Sequence, residues 1–194
     1  IVMKMNQINS VCVYSASSTK IDAVYFQAAE TLGRLLAEHH IRLINGAGRI
    51  GLMCSVADAV LKNGGEVTGV IPRFMVEQNW HHTGLTELIE VESMHERKQK
   101  MANLSDGIIA LPGGCGTLEE LLEIITWKQL GLYLNPIIIL RCSKCLKKQS
   151  MKTLCDANTV IYGKWRRHRK KLFSCFMRLL YGIFPFVNLQ RYDR

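Results

Sequence analysis

The stretch Ile108-Ile109-Ala110-Leu111-Pro112-Gly113-Gly114-Cys115-Gly116-Thr117-Leu118-Glu119-Glu120 decides the fold. Its first four residues are apolar throughout, the pattern of a strand buried on both faces of a sheet. Pro112-Gly113-Gly114 ends that strand, and the apolar spacing beyond it predicts a helix from near Thr117 to about Leu130. Working outward, Pro136 to Leu140 reads as a further buried strand. Upstream, Met94 to Leu104 reads as a charged helix and Leu88-Ile89-Glu90-Val91 as a strand. Residues 73–87, with Trp80-His81-His82, are less regular. Val67 to Ile71 is a strand stopped by Pro72, and Gly51 to Lys62 a helix ending on the C-cap signal Asn63-Gly64-Gly65. Ile41-Arg42-Leu43-Ile44, a long helix from Asp22 to His39 and Val11-Cys12-Val13-Tyr14 complete the alternation. Strands alternating with helices, and apolar on both faces, predict an α/β fold: a Rossmann-like, doubly wound parallel sheet with helices on both faces. Ligands of such sheets bind at the carboxyl ends of the strands, where the glycine loops fall.

Charge divides the chain in two. Residues 1–140 carry 11 Lys+Arg against 14 Asp+Glu, whereas residues 141–194 carry 14 against 2. The overall charge of +9 therefore belongs to the tail and implies no nucleic-acid partner for the body. We read residues 5–140 as one nucleotide-binding α/β domain and 141–194 as a basic, cysteine-containing tail. Met5 is a plausible natural start, since Ile1-Val2-Met3-Lys4 lacks the apolar region of a secretory signal. Seven cysteines, an odd count outside any small disulfide scaffold, point to a reducing, cytoplasmic compartment. No uninterrupted apolar run reaches the roughly 20 residues of a membrane-spanning helix.

Two glycine loops carry the chemistry. Gly46-Ala47-Gly48-Arg49-Ile50-Gly51 fits G-x-G-x-x-G, a weak signal alone. It follows the second strand, and Glu66 precedes its strand instead of ending it, so the dinucleotide pattern is not met. Gly51 suits a tight turn with close helix packing, while Gly46 and Gly48 remain candidates to line a nucleotide pocket. In the second loop, Gly113, Gly114 and Gly116 let backbone amides approach a ligand. The following helix N-terminus adds unpaired N–H groups and a positive dipole end, making a phosphate site without a basic side chain. No Walker sequence is present, which disfavours triphosphate hydrolysis. Thr117-x-x-Glu120 has two readings: a capping box that serves only the helix, or a carboxylate one turn from a phosphate, facing the sugar it carries. On the helix from Met94, helical spacing puts Met94, Arg97, Lys98 and Met101 on one face. The alternative is a solvated charged helix with both methionines in the core, and His95 reads as a surface or capping residue.

These residues resemble the LOG family of cytokinin-activating phosphoribohydrolases, proteins often labelled lysine decarboxylases. Pro112 to Glu120 matches that family's P-G-G-x-G-T-x-x-E signature. Met94-His95-Glu96-Arg97-Lys98, Asn45 to Met53 and Ile124 to Gly131 resemble its other conserved stretches, over residues 9–140 in all. The resemblance implies Arg97 and Glu120 as the catalytic pair, with substrate contacts at Met94, Lys98, Gly113, Gly114, Gly116, Thr117 and Thr126. Cys115 stands at the variable position and would lend only its backbone N–H. Also implied are a homodimer and hydrolysis of a purine nucleoside 5′-monophosphate, cytokinin-type or AMP, to base and ribose 5-phosphate. That reaction requires no metal and no redox cofactor, and no motif suggests a pyridoxal-phosphate lysine. The runner-up is a non-catalytic carrier of a nucleotide or phosphorylated cofactor on the same loops.

From Arg141 the resemblance stops. Cys142-x-x-Cys145 lacks the second cysteine pair of a zinc site at usable spacing. Lys164 to Lys171, followed by an apolar run, is a candidate contact for an anionic membrane. The abrupt basicity is also what translation in a shifted reading frame would produce. Sequencing the coding DNA tests this last idea: the absence of a LOG-like C-terminal helix from every other frame would remove it.

Overall fold

The protein, a computed structural model, is described over residues 8–140 and 159–162. Seven strands and five helices follow in the order β1 (Ser10–Tyr14), α1 (Ala23–Glu38), β2 (Arg42–Asn45), α2 (Gly51–Lys62), β3 (Val67–Pro72), α3 (Arg73–Glu77), β4 (Glu87–Val91), α4 (Met94–Asn103), β5 (Ile108–Ala110), α5 (Cys115–Gln129), β6 (Ile137–Leu140) and β7 (Thr159–Tyr162). They form one sheet in the order β4-β3-β2-β1-β5-β6-β7. The first six strands are parallel, as expected, and β7 pairs antiparallel to β6. β7 lies in the segment read above as tail; the other sequence features of that segment fall outside the described residues.

Alternation along the strands sorts the core into two layers. Val11 and Val13 of β1 point to one face, where α1 and α2 cover them with Ala29, Leu32, Leu36, Leu52, Val56 and Val60. Cys12 and Tyr14 point to the other, beneath Met101 of α4 and Leu121 and Ile124 of α5. This period of two is the geometry of a pleated strand. The chain winds from β1 to β4 along one half of the sheet and then returns beside β1 as β5. The carboxyl ends of β1 and β5 therefore flank the point where the winding reverses, the usual binding crevice of such sheets.

Local signals fix the helix starts. Asp22 caps α1 by accepting from the Val24 N–H at 3.1 Å. Ser93 caps α4 by accepting from Glu96 N–H at 3.1 Å, and Glu96 reaches back to the N–H of Glu92 at 2.9 Å. The reciprocal capping arrangement thus occurs here, shifted by one residue at the return bond, and not at Thr117. Among the described residues no helix is long and apolar enough to cross a membrane.

Gly51 opens α2 at φ 73°, and a β-carbon there would sit 2.7 Å from Ala16 O and Ser18 N. Gly64 has a similar φ of 75° with nothing within 4 Å. Gly64→Ala should cost only the left-handed strain, about 1 kcal/mol. Gly51→Ala should cost roughly 1–3 kcal/mol more, as overpacking does. Urea unfolding of both variants measures the difference, and equal losses would contradict the packing role of Gly51.

Candidate active site

Three elements converge on the guanidinium of Arg97. Its position on α4 follows from the Ser93 cap, which sets the helix so that Arg97 and Lys98 turn inward and are buried. Nε donates to Val70 O of β3 at 3.1 Å, Nη1 to Glu120 Oε1 of α5 at 2.9 Å, and Nη2 reaches Gly46 O at 3.5 Å. The Arg97 and Glu120 side chains are each only 7% exposed. Burying such a pair is stabilising only if its remaining donors find partners, and here two carbonyls supply them. Arg97 engages Oε1 of Glu120, leaving Oε2 for another partner.

The structure removes the capping-box reading of Glu120. α5 begins at Cys115, two residues earlier than expected, and its N-cap is Gly114, which contributes no side-chain bond. Thr117 consequently lies inside the first turn, buried against Gly113, where a β-carbon at Gly113 would collide with its side chain. No capping box forms at Thr117, because the glycine run before it already allows the helix to start. Glu120 instead turns across the cleft to Arg97.

Ahead of this pair, Gly113, Gly114, Cys115 and Gly116 are exposed. The first N–H groups of an α-helix have no intrahelical acceptor. With no side chain capping α5, they face outward at its positive dipole end and can hold an anion. Cys115 is a free, exposed thiol.

The other candidate residues are distributed differently. Gly46 is buried, and a β-carbon there would collide with the Arg97 guanidinium. Gly48 is half-buried, its N–H 3.0 Å from Met53 Sδ. Between them Ala47 takes φ 58°, with its N–H bonded to the buried Asn45 side chain at 2.9 Å. Met94 is exposed, so it does not share the buried face of Arg97, Lys98 and Met101. It is the first residue after the Ser93 cap, where the helix has only just begun to turn toward the sheet. His95 is exposed, as its reading as a surface residue anticipated. Thr126 is exposed, its hydroxyl donating to Leu122 O at 2.9 Å. Lys98 points into the α4–α5 contact and pairs with Glu119 and, at 3.1 Å, with Glu123.

Sequence reasoning missed Glu119, Glu123, Cys12 and Tyr14. The i, i+4 spacing of Glu119 and Glu123 was the available signal for the first two. Cys12 and Tyr14 form the floor beneath Glu120. Burial raises the thiol of Cys12 and the phenol of Tyr14 well above their ordinary values, with the Glu120 charge adding to each shift. Burial likewise raises the carboxyl of Glu120, against the lowering influence of Arg97. On the far side of the first glycine loop, Cys54, Asp58 and His82 bring one ligand atom each within 4.8 Å of one another. Gly84 N–H donates to His82 Nδ1 at 3.0 Å, so Nε2 carries the proton and gives it to Asp58 at 2.8 Å. Burial and Asp58 hold the Cys54 thiol up at about 11. That cluster is closed by its own hydrogen bonds.

The family model described as "possible lysine decarboxylase" matches residues 53–160. The chain is 46% identical over 132 residues to a cytokinin riboside 5′-monophosphate phosphoribohydrolase of Rhodococcoides fascians, covering 68% of this chain and 67% of that protein. It is 44% identical over 137 residues to the cytokinin riboside 5′-monophosphate phosphoribohydrolase LOG of Oryza sativa subsp. japonica, covering 71% of this chain and 57% of the rice protein. Among solved structures, a molybdenum cofactor binding protein from Rippkaea orientalis superposes with a TM-score of 0.60 at 20% identity, covering 87% and 95% of the two chains. A Moco carrier protein from Chlamydomonas reinhardtii gives 0.61 at 18%, covering 89% and 98%. These two show the fold alone. The family match and the extent of identity lead to one statement: the chain belongs to the LOG family, whose members include the phosphoribohydrolases named above.

Proposed function

We infer that the protein hydrolyses the N-glycosidic bond of purine nucleoside 5′-monophosphates, cytokinin-type or AMP, releasing free base and ribose 5-phosphate. The observation that carries this reading is the Arg97–Glu120 pair, buried one helical turn behind the open amides of α5. The 5′-phosphate docks on the amides of Gly113 to Thr117, with the Thr117 hydroxyl beside them, and so spends remote binding energy on orienting C1′. Departure of the base leaves positive charge on the ribose, an oxocarbenium-like state. Glu120, ionised, stabilises that charge and takes a proton from the attacking water, whose oxygen bonds to C1′. The bonding electrons leave with the purine, which takes a proton from solvent, and Glu120 returns to solvent the proton it took from water. Arg97 holds Glu120 in place and orients the ribose or the base. Met94 and Thr126, both exposed, are assigned contacts with the outer parts of the nucleotide on the family resemblance.

A cytoplasmic homodimer accompanies this reading, on the family resemblance and on free cysteines at Cys12, Cys54 and Cys115. The carrier alternative has fold likeness behind it. A buried carboxylate beside an anion site favours turnover, because it would weaken simple anion retention.

Incubation with AMP and with N6-prenylated AMP should release base and ribose 5-phosphate; stable binding of both without product would support a carrier instead. Glu120→Gln should lower kcat by about a hundredfold or more, with ribose 5-phosphate affinity kept within a few-fold. Gly46→Ala, by displacing Arg97, should act in the same direction. The reaction needs ionised Glu120, and burial raises its pKa. The acid limb of kcat/KM should accordingly have its midpoint above the ordinary glutamate value of about 4.3. A limb at or below that value would contradict the role of this residue.

A further inference from the structure

We propose that Lys98 is a positioning residue: held by Glu119 and Glu123, its ammonium fixes the rotation of α5 so that Glu120 meets Arg97. This rests on the functional reading above and deepens it. Two consecutive cations of α4 engage consecutive acids of α5, Arg97 with Glu120 and Lys98 with Glu119. Successive helical residues differ by about 100° around the axis. The two pairs therefore grip the polar edge of α5 from different angles, while Leu121, Ile124 and Ile125 anchor its apolar face on the sheet. Glu123 lies one turn beyond Glu119, and its carboxylate is 3.1 Å from the same ammonium. Lys98 thus spans a full turn of α5 and opposes sliding as well as rotation.

Burial supports this assignment over a direct contact with the substrate. The Lys98 side chain is 5% exposed, less than either acid that holds it. Burial works against its charge, yet the two carboxylates outweigh burial and raise its pKa. Two carboxylates engage the ammonium, whereas the first amides of α5 are uncapped and open to an anion. Leu118 and Leu122, on another side of α5, are exposed. The ion pairs on the polar edge refine the angle at which Glu120 is presented, within the orientation that the apolar face allows.

The test compares Lys98→Met, which removes the cation, with Glu119→Gln/Glu123→Gln, which removes its holders and leaves Lys98 intact. Both should lower kcat on AMP by about tenfold or more, as misplacement of a reacting group does. Both should leave ribose 5-phosphate affinity within about threefold, and Lys98→Arg should retain most of kcat. A phosphate-binding Lys98 predicts the opposite split: weakened ribose 5-phosphate binding in Lys98→Met and undiminished kcat in the glutamine pair. That result overturns the proposal. Hydrogen exchange of the Arg97 Nε–H, followed by 15N NMR, gives a readout that needs no turnover. Exchange should be faster in both variants than in wild type and near wild type in Lys98→Arg; unchanged exchange in both overturns the proposal. If wild-type protein releases no base, the functional reading fails separately, and the exchange data decide the lock. Should either variant fail to fold by circular dichroism, Glu123→Gln alone takes its place under the same criteria.

Discussion

A guanidinium withdrawn from water sets the terms for everything around the cleft. Removing a charge from solvent costs several kcal/mol unless its hydrogen-bonding capacity is met in place. Arg97 meets that requirement from three separate pieces of chain: the interior of β3, the loop after β2 and the second turn of α5. Only a sheet ordered with β3, β2, β1 and β5 side by side brings those pieces to one point. The residue at 46 must then lack a side chain, since the guanidinium occupies the space a β-carbon would take. A single buried cation thereby couples the strand order, one glycine and the direction in which α5 presents its acids.

The helix α5 joins two electrostatic tasks that oppose one another. Its tip offers uncapped amides to an anion, while its second turn carries Glu119, Glu120 and, a turn on, Glu123. Left uncompensated, those acids would repel whatever negative group the tip holds. The two cations of α4 offset them, and each does so inside the helix contact, with its charge directed toward α5. Beneath Glu120, the buried Cys12 and Tyr14 are held neutral by their surroundings and add no charge of their own.

Much of this was legible in the sequence, and the remainder follows a physical pattern. The buried strands, the glycine punctuation and the pairing of Arg97 with Glu120 were readable because each has a short-range signature or a long matched motif. The start of α5 was misplaced because Thr117 looks like an N-cap. The preceding glycines let the helix begin earlier, and Gly114 takes the capping position without a side chain. The true reciprocal cap, Ser93 with Glu96, lies in a charged run whose cations mask its capping pattern. Met94 was grouped with Arg97 by helical spacing, yet it is exposed at the first turn, which spacing alone does not report. The partners of Lys98 sit 21 and 25 positions further on, beyond the reach of any local pattern. The antiparallel pairing of β7 was equally hidden, since only assembly of the sheet shows which edge remains to be joined.

That last strand has a consequence for the integrity of the molecule. Ile137-Ile138-Ile139-Leu140 is a wholly apolar run with three β-branched residues, and among the described residues one side of it has no neighbour except β7. With β7 in place from Leu140↔Thr159 to Ile137↔Tyr162, its backbone groups on that side are engaged. A chain cut after residue 140 would present them as a sticky, flat border, the kind of template along which strands from separate molecules stack into aggregates. Residues 159–162 thus act as a seam allowance for the sheet, and trimming to the minimal catalytic body would trade a tidier sequence for self-association.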